Sequence, residues 1–278
     1  MPPLISDDAF KNNSRKEAAA DYFLDVDARL EPLISRLNEF KVLPGSALAG
    51  DDKESLTDAV SHQARGLLSV AADNAHALRT VVVKAEVLPA FAGYSLTRNA
   101  IECAGVALWL MGPPTRDIRV LRALQLSRES LKDHRRLEAT RSGQKHRGLA
   151  LTDPLLLKLE AERDKRAANV GVSLVAPSIT ERLEEAEAYV KRRADRQEAL
   201  VVYWQRGSGL AHGRRHALWQ VSDARLRGSD HAGFQAVMSA DIVEMTAHFE
   251  GAVNYLEDGI ELLERRGTTD RVHAQDLR

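Results

Sequence analysis

Residues 92–112 read AGYSLTRNAIECAGVALWLMG, the most apolar window of the chain. Its reading decides the fold. The window is long enough to span a bilayer, but Arg98 and Glu102 lie inside it. Each charge costs about 2.5–3.5 kcal/mol at a membrane centre. A buried helix of a helical bundle is therefore the better reading, and no membrane partner is expected. Ala100, Ala104, Gly105 and Ala107 are small, so a second helix can approach closely. Arg98 and Glu102 are four residues apart and share a helix face. They form either an intrahelical ion pair at a groove edge or, with Asn99, the lining of a cleft. The spacing leaves both readings open.

Outward from this helix, the 278 residues carry helix signals almost throughout. Ser14 to Glu17 and Ser178 to Glu181 match the capping box, in which serine and glutamate satisfy free N–H groups reciprocally. Asp153-Pro154 places a cap before a proline suited to a first helical turn. Periodicity predicts helices over 14–40, 52–86, 88–111, 115–141, 153–168, 178–205, 208–216 and 238–266. Between them, 217–224 and 233–240 look like two short strands, so a small β-hairpin is expected near residues 216–240. The expected class is all-α, a bundle of long antiparallel helices joined by short connections. One helical domain is expected over 14–266, between a flexible N-terminus (1–13) and a flexible tail (267–278). Neither a GxGxxG nor a GxxxxGK[ST] motif occurs, so a dinucleotide fold and a P-loop are excluded.

Composition narrows the function classes. Hydrophobic residues make up 44% and charged residues 28%, which suits a globular chain. The formal net charge of -1 does not mark a generally basic nucleic-acid binder. Residues 116–147, however, hold ten Lys or Arg against four Asp or Glu. A solvated helix face explains most such runs, and phosphate contact is the alternative. The single cysteine, Cys103, excludes a disulfide framework and a cysteine-rich zinc site within the chain. With no signal-peptide pattern at residues 1–17, a cytoplasmic location is expected.

The densest chemistry lies at residues 203–220, YWQRGSGLAHGRRHALWQ. Glycine is a poor helix former, so the expectation is a helix interrupted at Gly207 and Gly209. Three chemistries compete there. Arg206 holds a phosphate, which a guanidinium grips as a fork, while His212 moves a proton and Ser208 positions either one. Alternatively, His212 and His216, four residues apart, bind a metal with Glu102. As a third choice, Ser208 is a nucleophile activated by His212. Position 213 is glycine, so the HExxH pattern is broken, and no GxSxG elbow is present. The bland reading is a histidine capping a helix end and Gly213 closing a turn. Five Arg-x(4–6)-His pairs occur, against about three expected from composition. Context selects Arg206 and His212; spacing does not.

LTRNAIECAGVALWLM, followed about a hundred residues later by YWQRGSGLAHG, resembles the pattern of HEPN-like helical proteins. It is similar to a bacterial branch with an Arg-x-x-x-Glu helix and a later Ser-x-x-x-His-Gly. The resemblance covers about residues 90–215. It implies an α-helical bundle, often dimeric, with RNA and a second copy as partners. It also implies a metal-independent endoribonuclease of a bacterial defence or toxin–antitoxin system, or else a non-catalytic binding module. Arg206 and His212 take the places of the family's arginine and histidine, and no cofactor is implied. Gly207 departs from the polar residue usual after that arginine. The alternatives are a non-enzymatic helical protein-interaction or self-association module and a metal-dependent hydrolase.

Overall fold

The computed structural model describes residues 7–55, 58–143, 154–171, 176–191, 198–230 and 233–268. The elements in chain order are helices α1 (Asp7–Glu39), α2 (Ala47–Glu54), α3 (Val60–Arg79), α4 (Ala92–Met111), α5 (Arg116–Arg141), α6 (Pro154–Val170), α7 (Ile179–Ala186), α8 (Leu200–Ala211) and α9 (Arg215–Val221). Strands β1 (Ser222–Asp230) and β2 (Gly233–Ala240) follow, and α10 (Ile242–Gly267) completes the series. The described residues are all-α apart from the antiparallel β1–β2 hairpin, which pairs Ser222 with Ala240 and Asp230 with Gly233. No helix of the described residues is long and apolar enough to cross a membrane.

The residues divide into two compact units. The first comprises residues up to 39, 67–105 and 190–260. Its core stacks Phe23 of α1 on Phe249 of α10, with ring centroids 4.4 Å apart. Val26, Leu30, Leu68, Leu78, Ile101, Met245 and Leu256 are buried in the same unit. Polar bonds fix α1 against α10: Tyr22 donates to Glu250 at 2.5 Å, and Arg29 donates to Asn254 and Glu257 at 2.7 Å each. Arg79 of α3 reaches back to Asp27 and Glu31 of α1.

The second unit comprises residues 40–66, 106–189 and those after 260. Asp51 of α2 is fully buried and accepts two bonds from Arg119 of α5, at 2.6 and 2.9 Å. Arg119 also donates to the carbonyls of Pro113 and Pro114. All its buried charge is thereby met, the condition for a buried ion pair to persist. Trp109 is buried between the guanidinium groups of Arg122 and Arg182, with centroid distances of 4.5 and 5.1 Å. Its indole N–H donates to Glu185.

Several expected boundaries move. α1 begins at Asp7, so Ser14 lies inside the helix and does not cap it. The expected 52–86 helix breaks after α2, where Ser55 is extended; Asp52 accepts from the Ser61 N–H and hydroxyl. Its far end widens into a π-helix over Thr80–Lys84, where the Ala85 N–H donates to the Thr80 carbonyl five residues back. The expected 178–205 helix ends early: α7 passes into a short 3-10 turn at Glu187–Tyr189, and α8 starts at Leu200. The Ser178–Glu181 capping box is present as read from the sequence. β2 takes the expected 233–240, but α9 extends through Val221, so β1 starts at Ser222 and runs to Asp230. Asp153 and the tail beyond 268 lie outside the described residues.

Candidate functional site

The largest departure from expectation is α8. It runs unbroken from Leu200 to Ala211, through Gly207 and Gly209. Packing explains both glycines. A Cβ on Gly207 would sit 2.7 Å from the Arg98 Cβ and 3.2 Å from the Tyr94 carbonyl of α4. A Cβ on Gly209 would sit 2.8 Å from the Ala217 Cβ of α9. The two glycines thus seat α8 against a helix on each side. Gly213 has the positive φ of 63° that ends the helix. The Arg214 N–H donates to the Gly209 carbonyl and the Gly213 N–H to the Leu210 carbonyl. These two bonds form a Schellman motif, which only a residue tolerant of left-handed backbone completes without strain.

The Arg98 and Glu102 pair meets α8 directly. The two side chains pair at 2.8 Å. Trp204 donates its indole N–H to Glu102 at 2.6 Å, and the Arg98 guanidinium lies 5.4 Å from the Trp204 ring centroid. Contacts 98 with 207 and 102 with 204 run in opposite chain directions, so α4 and α8 are locally antiparallel. The Arg98 and Glu102 motif is therefore packed on the helix that leads into the second motif, through Trp204 and Gly207. Asn99 is half-buried beside it, with the Cys103 thiol 3.9 Å from its Oδ1. Burial pushes that thiol up to about 11, so Cys103 is a poor nucleophile.

Arg206 faces elsewhere. It pairs with Glu198 at 2.7 Å and with Glu244 of α10 at 3.4 Å. Burial holds the Glu244 pKa above its ordinary value against the pull of Arg206. Close by, His248 of α10 is fully buried, with ring centroids 5.0 Å from Tyr94 and 5.2 Å from Tyr203, both edge to face. Neither ring nitrogen has a hydrogen-bond partner among the described residues. Burial, and secondarily the Arg206 charge, push His248 down to about 3. Burial also raises Tyr203 to about 12 and Tyr94 further. The sequence reading missed His248. Its signal was a place in the apolar stripe of α10, with Met245, Phe249 and Ala252.

Arg206 and His212 are not brought together. Six helical residues turn about 600°, leaving the two some 120° apart, and the expected unwinding that would have joined them is absent. Among the described residues no hydrogen bond or ion pair links them. His212 is instead the C-cap of α8, exposed, with its N–H donating to the Ser208 carbonyl at 3.1 Å. Ser208 is half-buried on the preceding turn. Glu102 is held by Arg98 and Trp204, and among the described residues no three His, Cys, Asp or Glu side chains converge as metal ligands. The expected alternative of Glu102, His212 and His216 is therefore not an assembled metal site.

What the turn does assemble is exposed positive charge. Residues 211–216 are all exposed, Arg214 and Arg215 among them, and no carboxylate of the described residues pairs with either. Most other arginines are committed. On α5, Arg128 pairs with Glu160, Arg135 with Glu138 and Arg136 with Asp133. The basic run of 116–147 is thus largely neutralised where it is described; Lys145 and Arg147 lie outside the described residues. On α9, Ala217 is buried toward α8. Two residues to either side turn the helix by about 200°, so Arg215 and Trp219 share the opposite face. Trp219 is 47% exposed.

A cavity of about 300 Å³ lies elsewhere in the first unit, lined by Glu31, Ile34, Leu37, Asp73 and His76. It holds none of the expected site residues. Its two carboxylates would repel a phosphate, so its size does not make it the candidate. Searches against protein-family models, curated proteins and solved structures find no match for this chain.

Proposed function

We propose that this chain is a HEPN-like, RNA-directed protein that meets its ligand at the exposed turn His212–Arg215. One observation carries the reading: the turn presents two arginines that have no carboxylate partner among the described residues, beside an exposed histidine, while Arg98 and Arg206 are paired. An unpaired guanidinium binds phosphate without first breaking an ion pair. The Arg98–Glu102–Trp204 joint supports the same reading, because it packs the Arg-x-x-x-Glu helix of the resemblance on the helix that carries Ser208 and is capped by His212.

The reaction class that fits is metal-independent transesterification of RNA. His212 takes the proton of a ribose 2′-hydroxyl, the 2′-oxygen bonds to the adjacent phosphorus, and the bond from phosphorus to the 5′-oxygen breaks. The leaving oxygen takes up a proton. Imidazole suits both transfers near neutral pH. Arg214 and Arg215, without a carboxylate partner among the described residues, stabilise the charge on phosphate. Arg206 serves instead to hold α8 against Glu198 and Glu244. Incubating RNA with the wild type and with His212→Ala, chelator present, tests the chemistry. The expected loss is about 100-fold or more. Equal cleavage by both proteins, or none by either, contradicts it.

A further inference from the structure

We propose that Trp219 is a stacking platform for a base of an unpaired RNA strand whose phosphates lie on Arg214 and Arg215. This rests on the RNA-directed reading and narrows it to single strands.

The three tryptophans have different fates. Trp109 is buried between two arginines and bonded to Glu185. Trp204 is bonded to Glu102. Trp219 is 47% exposed, and among the described residues no ring contact or hydrogen bond occupies it. Its helix is not loosely attached. Ala217 sits against Gly209, and the Ala217 and Leu218 N–H groups both donate to the Arg214 carbonyl. The Schellman turn then fixes α9 on the end of α8. This rigidity lowers the ordering cost of binding.

Charge and shape choose the occupant. The aromatic face carries one cation without a described carboxylate partner, Arg215 one turn earlier on the same face, and a second such cation, Arg214, precedes it in the exposed turn. A purely apolar partner would leave those charges desolvated and unmet. A nucleic-acid strand supplies both an anionic backbone and a flat ring. Within a duplex every base is stacked on its neighbours, so only an unpaired base can lie on an aromatic side chain. Stacking of this kind tolerates any base, so the surface selects strandedness, with little sequence preference.

The test measures binding of a ten-nucleotide oligo(U), a ten-nucleotide oligo(A) and an RNA duplex to the wild type, Trp219→Leu, Trp219→Phe and the double variant Arg214→Glu/Arg215→Glu. Tryptophan fluorescence is read alongside affinity, and circular dichroism verifies that each variant folds. The wild type is expected to bind both single strands with quenched emission. Trp219→Leu is expected to lose about 5- to 100-fold in single-strand affinity and most of the quenching, and to leave duplex affinity unchanged. Trp219→Phe keeps much of the single-strand affinity. Unchanged single-strand affinity in Trp219→Leu, with a loss in the double arginine variant, overturns the stacking role and leaves the RNA-directed reading intact. No binding of any RNA by the wild type overturns both. A wild-type dimer that Trp219→Leu converts to monomer, with RNA affinity unchanged, assigns the ring to contact between copies and overturns the proposal.

Discussion

Gly207 of α8 lies so close to Arg98 of α4 that a methyl group in place of its hydrogen would meet the Arg98 Cβ at 2.7 Å. Neither the Arg98 Cβ nor the nearby Tyr94 carbonyl can swing aside as the end of a long side chain could. Gly207→Ala gains up to about 1 kcal/mol of helix propensity. Overpacking costs about 1–3 kcal/mol. The expected net result is a lower midpoint in thermal unfolding, with the Trp204–Glu102 bond weakened. A midpoint raised by the substitution would mean that α4 and α8 are not in this contact.

His248 makes stability depend on pH. Its folded value is pushed down to about 3, against about 6.5 for an unfolded histidine. Between these values the unfolded chain binds the extra proton. Stability is therefore fully present above about 6.5 and is lost as pH falls toward 3, by an amount on the order of a few kcal/mol. The groups around the ring are Tyr94 on α4 and Tyr203 and Arg206 on α8, and Glu244 lies four residues earlier on α10. Glu244, whose value is raised by burial, acts in the opposite direction below its folded pKa. Urea unfolding of the wild type and His248→Leu at pH 7.5 and about pH 5 separates the two effects. The wild type is expected to lose more stability on acidification than the variant. Parallel losses would contradict a buried neutral imidazole.

Arg206 is expected to behave as a structural residue. Removing it leaves Glu198 and Glu244 without their counterion. The three side chains are 24–33% exposed, so screening trims the cost of a fully buried pair to about 1–3 kcal/mol. Arg206→Met is expected to lower the thermal midpoint, whereas Arg214→Met, at an exposed position, leaves it unchanged. RNA affinity measured below both midpoints is expected to fall for Arg214→Met alone. The reverse pattern would return the phosphate-binding role to Arg206.

The parts of this molecule legible in the sequence are those decided locally. The apolar run 92–112 gives a buried helix because its composition leaves little choice, and Ser178 caps α7 through a bond to a residue three positions on. Gly207 and Gly209 mislead because intrinsic propensity argues for a break, while packing on Arg98 and Ala217 demands small residues inside a continuous helix. The joint of Arg98 and Glu102 was readable as a pair, but its partner Trp204 lies 102 residues away. Arg206 misleads for the same reason: Glu244 is 38 residues further on, and no local pattern reports that the guanidinium is occupied. Arg214 and Arg215 stood in the same stretch as His212. What distinguishes them is the absence of a described carboxylate beside them, a property of the folded surface rather than of the pattern.

The most direct measurement of the central claim is the salt dependence of single-stranded RNA binding by the wild type and by Arg214→Gln/Arg215→Gln. Each phosphate contact on a single strand contributes about 0.7 to the slope of log affinity against log salt. If the turn holds the strand, the double variant binds more weakly at low salt and its slope is shallower by about 1.4. An unchanged slope and affinity would contradict the placing of RNA at the His212–Arg215 turn.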